Sequence, residues 1–158
     1  MKTTLSFAVA FAAAFAASTA MAALKTTPKG FTDDLDAALK RSADNGRTVL
    51  AVFSGSDWCI WCKLLEGEIL SQDEFLKSAT NKYELVFIDN PMDRDLLPES
   101  ASRRNSQLTQ KYGVRGFPTV LALDSSGKVL ETFGYSRGGP AKYIAMLDEK
   151  LQAKQPKK

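Results

Sequence analysis

Histidine is absent from this 158-residue chain, and cysteine occurs only twice, at Cys59 and Cys62. A structural zinc site takes about four ligands. With no histidine and no third cysteine, a complete site within one chain would need two carboxylates, Asp57 and Glu66 being near in sequence. That ligand set is unusual, and no metal is expected. Two cysteines make no disulfide framework either. The mature chain is long enough to bury a core without staples. Other absences narrow the field further. No basic stripe interleaved with aromatics appears, so nucleic-acid binding is not expected. There is no internal repeat and no low-complexity segment. Beyond the leader, no apolar run approaches the ~20 residues of a membrane-spanning helix, so no stable membrane insertion is expected.

What is present begins with that leader. Lys2 supplies a positive start, Leu5 to Ala17 an apolar run, and Ala20-Met21-Ala22 a small-x-small cleavage site. Residues 1–22 therefore read as a cleavable signal peptide, cut after Ala22. No cysteine follows the cut to carry a lipid. The expectation is an exported chain, periplasmic if the leader is bacterial. Cutting 22 of 158 residues leaves 136, the size of one domain. Losing Lys2 from 21 basic residues leaves 20 against 18 acidic ones. The excess gathers partly in the tail. The expected organisation is a linker over 23–30, a domain over 31–153 and a flexible tail over 154–158.

Periodicity predicts an amphipathic helix over 31–46, with Phe31, Leu35, Ala38 and Leu39 on one face, Thr32 as N-cap and Asn45-Gly46 as the stop. The β-branched run over 47–55 predicts a buried strand. Helical spacing follows the second cysteine, over 62–79. A second buried strand is predicted over 83–90, and a polar helical connection over 96–114 with Leu108 and Tyr112 facing inward. Residues 119–135 read as two strands joined at Ser125-Ser126-Gly127. A last helix starts near Pro140, with Tyr143, Met146, Leu147 and Leu151 on its buried face. The early strand–helix–strand portion calls for parallel pairing, and the late hairpin adds antiparallel strands. The fold class is thus α/β, a central mixed β-sheet flanked by helices.

The two cysteines sit in "SDWCIWCK", where a strand gives way to a helix. A thiol at a helix N-terminus meets unpaired N–H groups and the positive end of the dipole, which favour thiolate. A second thiol one turn later can close a disulfide with it or attack a mixed disulfide. On this reading Cys59 is the nucleophile and Cys62 resolves. A short structural disulfide and half of a shared metal site remain alternatives. A second motif favours the redox reading: "GFPT", Gly116 to Thr119, directly precedes a predicted strand, where Pro118 is tolerated.

Together these stretches resemble the thioredoxin-like family. "VFSGSDWCIWCK" is similar to its strand, turn and W-C-x-x-C-K opening. "KYGVRGFPTVLALDSSGKVLETFGY" is similar to its Y-x-V-x-(G/S)-x-P-T segment, the following hairpin and the glycine after it. The resemblance runs from about Thr48 to Leu151 and is nearest to exported bacterial proteins with a WCxWC active site. It implies a thioredoxin-like fold, a cis Pro118 packed on a redox disulfide between Cys59 and Cys62, and substrate contacts by Trp58, the Phe117 backbone, Pro118 and Gly134. It also exposes departures. The buried acid that many members carry six residues before the first cysteine is Phe53 here, and Leu85 falls near its usual lysine partner. Asp57 or Glu66 is left as a possible proton relay. Ile60-Trp61 replaces the usual Gly-Pro. Residues 90–106 read as a polar surface excursion, with a partner-recognition loop as the alternative.

The resulting expectation is a thiol–disulfide oxidoreductase acting on protein thiols and disulfides, without a cofactor, as a monomer, with electrons relayed from a membrane protein. The reductive direction is preferred, since the single compact domain carries no obvious helical insertion. The alternatives are a peptide-binding or chaperone module with little turnover, and a Cu(I) metallochaperone using the two thiolates.

Overall fold

The computed structural model describes Leu24 and residues 26–153. The expected signal peptide with its cut after Ala22, and the tail over 154–158, lie outside the described residues.

The first helix, α1 (Leu35–Asn45), starts four residues later than the span over 31–46 that the periodicity implies. Asp34 caps it, its carboxylate accepting from the Ala37 N–H at 2.9 Å. The expected cap, Thr32, instead forms a single parallel bridge to Val86. Its N–H donates to the Leu85 carbonyl at 3.0 Å, and its carbonyl accepts from Phe87 N–H at 2.8 Å. The pairing needs of a sheet edge outweigh the local helix signal there, and Phe31 enters the core from an extended segment. Gly46, at φ 73°, ends α1 with its N–H on the Ser42 carbonyl, the left-handed closure that glycine adopts without strain.

Strand β1 (Thr48–Ser54) leads to α2 (Ile60–Leu65). The helix expected over 62–79 is broken in three. After α2 comes a π-helical turn (Glu66–Leu70), then α3 (Asp73–Ala79). The extra residue in the π turn lets consecutive Ile69 and Leu70 both be buried, which a single regular helix face does not provide. Strand β2 (Tyr83–Asp89) follows, then α4 (Glu99–Lys111), β3 (Thr119–Leu123), β4 (Val129–Phe133) and α5 (Gly139–Gln152).

The sheet order is β2-β1-β3-β4. β1 runs parallel to β2, with Ser54 opposite Asp89, and antiparallel to β3, with Phe53 opposite Thr119. Alternation along β1 feeds two cores. Leu50 and Val52 pack with Leu65, Ile69, Leu70, Phe75, Tyr143 and Leu147 beneath α2, the π turn, α3 and α5. Val49, Ala51 and Phe53 pack with Leu35, Leu108 and Tyr112 beneath α1 and α4.

The excursion expected over 90–106 is irregular only as far as Pro98. Its second half is helix, with Leu97, Ala101 and Asn105 buried. The Asn105 amide donates to the Asp89 carbonyl at 2.7 Å, and Arg104 pairs with Asp33 at 2.9 Å. These bonds tie α4 to the end of β2 and to the segment before α1. The described part of 23–30 also has a place: Thr26, Thr27 and Pro28 line a cavity beside α2. Among the described residues no helix is long and apolar enough to cross a membrane.

Candidate active site

β1 ends at Ser54, and the chain turns through Gly55-Ser56-Asp57-Trp58 into α2. Cys59 is the N-cap, in extended conformation, and its Sγ accepts the Cys62 N–H at 3.2 Å. Cys59 and Cys62 are joined by a disulfide. Cys59 is 5% exposed and Cys62 2%. An N–H aimed at Sγ favours the sulfur's charged state when the bond is open.

Trp58 projects from the turn. Its ring meets that of Phe117 edge to face, centroids 5.6 Å apart. Its indole N–H donates to the Asn90 carbonyl at 3.0 Å. Gly55 lies underneath: a Cβ there would stand 2.4 Å from Trp58 Cε2. The Phe117–Pro118 peptide is cis, and the β1–β3 ladder ends just after it at Thr119. Gly134, beyond β4, faces the Pro118 carbonyl, and a Cβ there would sit 3.8 Å from it, an ordinary contact. Gly134 also accepts the Tyr143 hydroxyl at 3.0 Å. On the other flank, Trp61 packs against Tyr135 at 5.8 Å. Trp58, Ile60, Trp61 and Met92 are all exposed. Apolar side chains left in water around a reactive bond form a surface suited to an apolar polypeptide segment.

The two acids singled out from sequence have different surroundings. Asp57 turns its carboxylate to the loop after β2, accepting from the N–H groups of Met92 at 3.0 Å and Asp93 at 2.8 Å. Burial pushes its acidity down, but these bonds and the Lys63 charge outweigh it and hold the carboxyl below its usual range. Lys63 itself donates to the Asp57 carbonyl at 2.8 Å. Glu66 moves the other way: burial, and secondarily the charge of Asp89, raise its proton affinity. It lines a cavity of about 420 Å³ with Thr26, Thr27, Pro28, Ser56, Lys63, Gly67 and Ser71. Phe53 and Leu85, at the places of the absent acid and lysine, are buried in separate cores on opposite faces of the sheet.

Three residues near the site escape a sequence reading. Asp89, 2% exposed, accepts from Ser56 N–H at 2.9 Å and from its hydroxyl at 2.6 Å. Asn90 holds the indole, and Met92 reaches the site through the Asp57 clamp. The available signal was the acid closing the apolar run "YELVFIDN", since ligand sites of parallel sheets gather at strand C-termini.

A mixed sheet with a cysteine pair capping the helix after β1, and a cis X-Pro bond opposite it, defines the class of thioredoxin-fold dithiol proteins. The family described as a thioredoxin-like domain matches residues 35–150, and the chain belongs to it. It is a thiol–disulfide oxidoreductase. Among its relatives, the disulfide bond reductase DsbH of Chlamydia pneumoniae is 33% identical over 115 residues, 73% of this chain and 69% of that protein. A solved structure of a DsbH oxidoreductase superposes with a TM-score of 0.70 at 30% identity, covering 83% of this chain and 86% of that one. Nucleoredoxin of Bos taurus is 26% identical over 128 residues, 68% of this chain but only 29% of that longer protein.

Proposed function

We propose that the chain reduces disulfides of exported proteins through the Cys59/Cys62 dithiol. The observation that carries this is the placement of Cys59 as N-cap, with the Cys62 N–H on its sulfur, at the centre of an exposed apolar surface. Cys59 thiolate attacks one sulfur of the substrate disulfide, and the other leaves as a thiolate. Cys62 then loses its proton and attacks Cys59 Sγ. The mixed disulfide breaks, its electron pair leaves with the second substrate sulfur, and Cys59–Cys62 is closed. Two electrons pass to the substrate, whose thiolates take up protons from solvent. Trp58, Phe117, Pro118 and Gly134 line the approach. The Phe117 backbone, just beyond the end of the β1–β3 ladder, pairs with an extended substrate segment.

Glu66 is the acceptor for the Cys62 proton. It lies four residues on, and its N–H donates to the Cys62 carbonyl. Residues so spaced are neighbours on a helix, and helical side chains lean toward the N-terminal turn. Asp57, engaged by the Met92–Asp93 loop, is left out of the relay. The reductive direction is supported by the Chlamydia relative, a disulfide bond reductase. An exported reductase of this kind works as a monomer in the periplasm and is recharged by a membrane electron relay.

The test is the Cys59–Cys62 potential against glutathione, paired with reduction of insulin. A potential toward the reducing end of the family, about −270 mV rather than about −120 mV, is expected. A value at the oxidising end overturns the reductive direction. Equal insulin turnover by wild type and Cys59→Ser removes the dithiol mechanism.

A further inference from the structure

Cys62 must release a proton, yet it is 2% exposed. Its surroundings on the sheet side are set by strand register. Leu50 pairs with Leu85, Val52 with Phe87 and Ser54 with Asp89. The first two pairs belong to the core beneath α2 and the π turn. Alternation therefore points Ser54 and Asp89 to that same face, at the end of the row nearest the cysteines. The row changes there from apolar to polar. Asp89 is 2% exposed, with both oxygens on Ser56. Ser54 is 1% exposed, and its hydroxyl has no hydrogen-bond partner among the described residues. Buried polar groups of this kind are uncommon outside working sites. Phe53, where a family acid is missing, faces the opposite core.

Glu66 meets this polar end from above. It opens the π turn, its carbonyl accepting from Ser71 N–H five residues on, and such turns recur at functional sites. Of the charged groups around it, Lys63 lines the same cavity from α2, Asp89 acts on it from β2, and Glu68 is turned onto the Tyr135 hydroxyl. Among the described residues of the N-terminal segment, uncharged Thr26, Thr27 and Pro28 line the cavity.

We propose that Asp89, held by Ser56 at the C-terminal end of β2, is the positioning residue that makes Glu66 an effective acceptor for the Cys62 proton, replacing from a neighbouring strand the acid that β1 lacks. The proposal rests on the dithiol cycle above. Asp89 touches neither sulfur. It acts by placing a second carboxylate beside Glu66, and like charges held together in a partly dry site strengthen proton binding. The raised proton affinity of Glu66 brings it nearer to a thiol's, which is what efficient transfer from Cys62 requires. In the resolving step the Cys62 S–H proton passes to Glu66, the new S–S bond forms to Cys59, and the substrate sulfur leaves with the electron pair. Glu66 then gives up the proton through the solvent-open cavity.

Rapid mixing of the reduced protein with 5,5′-dithiobis(2-nitrobenzoate) tests this. The first release of thionitrobenzoate reports attack by Cys59, and the second reports resolution by Cys62. Asp89→Asn, which keeps the side chain's shape, is expected to leave the first release unchanged. It should slow the second several-fold at neutral pH and move its pH midpoint down. Glu66→Gln is expected to slow the second release about tenfold or more. If Glu66→Gln slows it and Asp89→Asn does not, the role of Asp89 is overturned while the relay stands. If Glu66→Gln is also without effect, the relay falls and the Asp89 role with it. Absence of any second release in wild type overturns the dithiol cycle itself. Should Asp89→Asn fail to fold, Ser56→Ala, which removes the hydroxyl bonded to Asp89, takes its place: it is expected to slow the second release and not the first, and an unchanged second release overturns the proposal.

Discussion

The Trp58 and Phe117 rings meet edge to face, 5.6 Å apart, and this contact joins the two motifs that define the site. Trp58 precedes the cysteine pair on the turn after β1, while Phe117 precedes the cis bond before β3. The indole N–H adds a third segment by donating to the Asn90 carbonyl after β2. One side chain thus fixes the relative positions of the cysteine turn, the backbone before the cis bond and the loop that carries Met92.

Replacing Trp58 tests how much of that arrangement the substrate uses. The aromatic pair contributes about 0.5–1.5 kcal/mol and the indole hydrogen bond about 1 kcal/mol. Trp58 is 43% exposed, so little core is lost with it. Trp58→Ala should lower Tm by only a few degrees while kcat/KM for a protein disulfide falls about tenfold, mainly through KM. Trp58→Phe keeps the ring contact and should recover part of that loss. Steady-state reduction of insulin, with thermal melts, separates the two effects.

Gly55 carries a sharper version of the same dependence. Its Cα faces the indole so closely that a methyl group would stand 2.4 Å from Cε2 and 2.5 Å from Nε1. Trp58 is on the surface and has room to swing away, breaking its bond to Asn90. Gly55→Ala is therefore expected to fold with near-native stability yet show activity close to that of Trp58→Ala. A melt several degrees below wild type with full activity would contradict this account.

The architecture was legible where the signal is local. Two β-branched runs, the Ser125-Ser126-Gly127 hairpin and Pro140 at the last helix start all mark their elements in the structure. The cysteine spacing and "GFPT" identified the family. What escaped depends on pairing between distant segments. Thr32 reads as a helix cap, but Val86 recruits it as an edge bridge. Asp89 is one acid among many until register with Ser54 turns it beneath α2. Met92 lies 30 residues past Cys62 and comes to the site only because Asp57 binds its backbone N–H. The break over Glu66–Leu70 showed in the sequence only as mixed helical spacing.

Glu66 ties activity to stability. Burial and the Asp89 charge disfavour its ionised form, so its proton is held more tightly in the folded than in the unfolded chain. The sign follows from linkage. The ionisation penalty is absent below the ordinary carboxylate range and fully present above the raised folded value. Glu66→Gln removes it and should raise Tm at pH 7 but not at pH 4, while lowering activity. Melts at the two pH values check this, and an equal change at both would show that ionisation is not the source.

Asp57 has the opposite sign and a different consequence. Its carboxyl is held below the usual range: burial works against this, but the N–H groups of Asp93 and Met92, with Lys63 nearby, prevail. A depressed value stabilises the folded arrangement above the unfolded pKa, and that contribution is lost as pH falls through the folded one. The loss should be local, since the bonds hold only the turn at Met92 and Asp93. Met92 is 72% exposed, so the loop has little buried surface of its own to keep it in place. Below the ordinary carboxylate range, amide exchange at Met92 and Asp93 should accelerate relative to the core amides of β1, after correction for intrinsic rates. Asp57→Ala should show fast exchange at both residues at every pH, with a higher KM because the Met92 edge of the apolar surface is no longer fixed. Asp57→Asn retains an acceptor oxygen and should fall between the two without the acid transition. Unchanged exchange at Met92 and Asp93 in Asp57→Ala would show that the loop is held from elsewhere, leaving the Trp58 bond to Asn90 as its main tether.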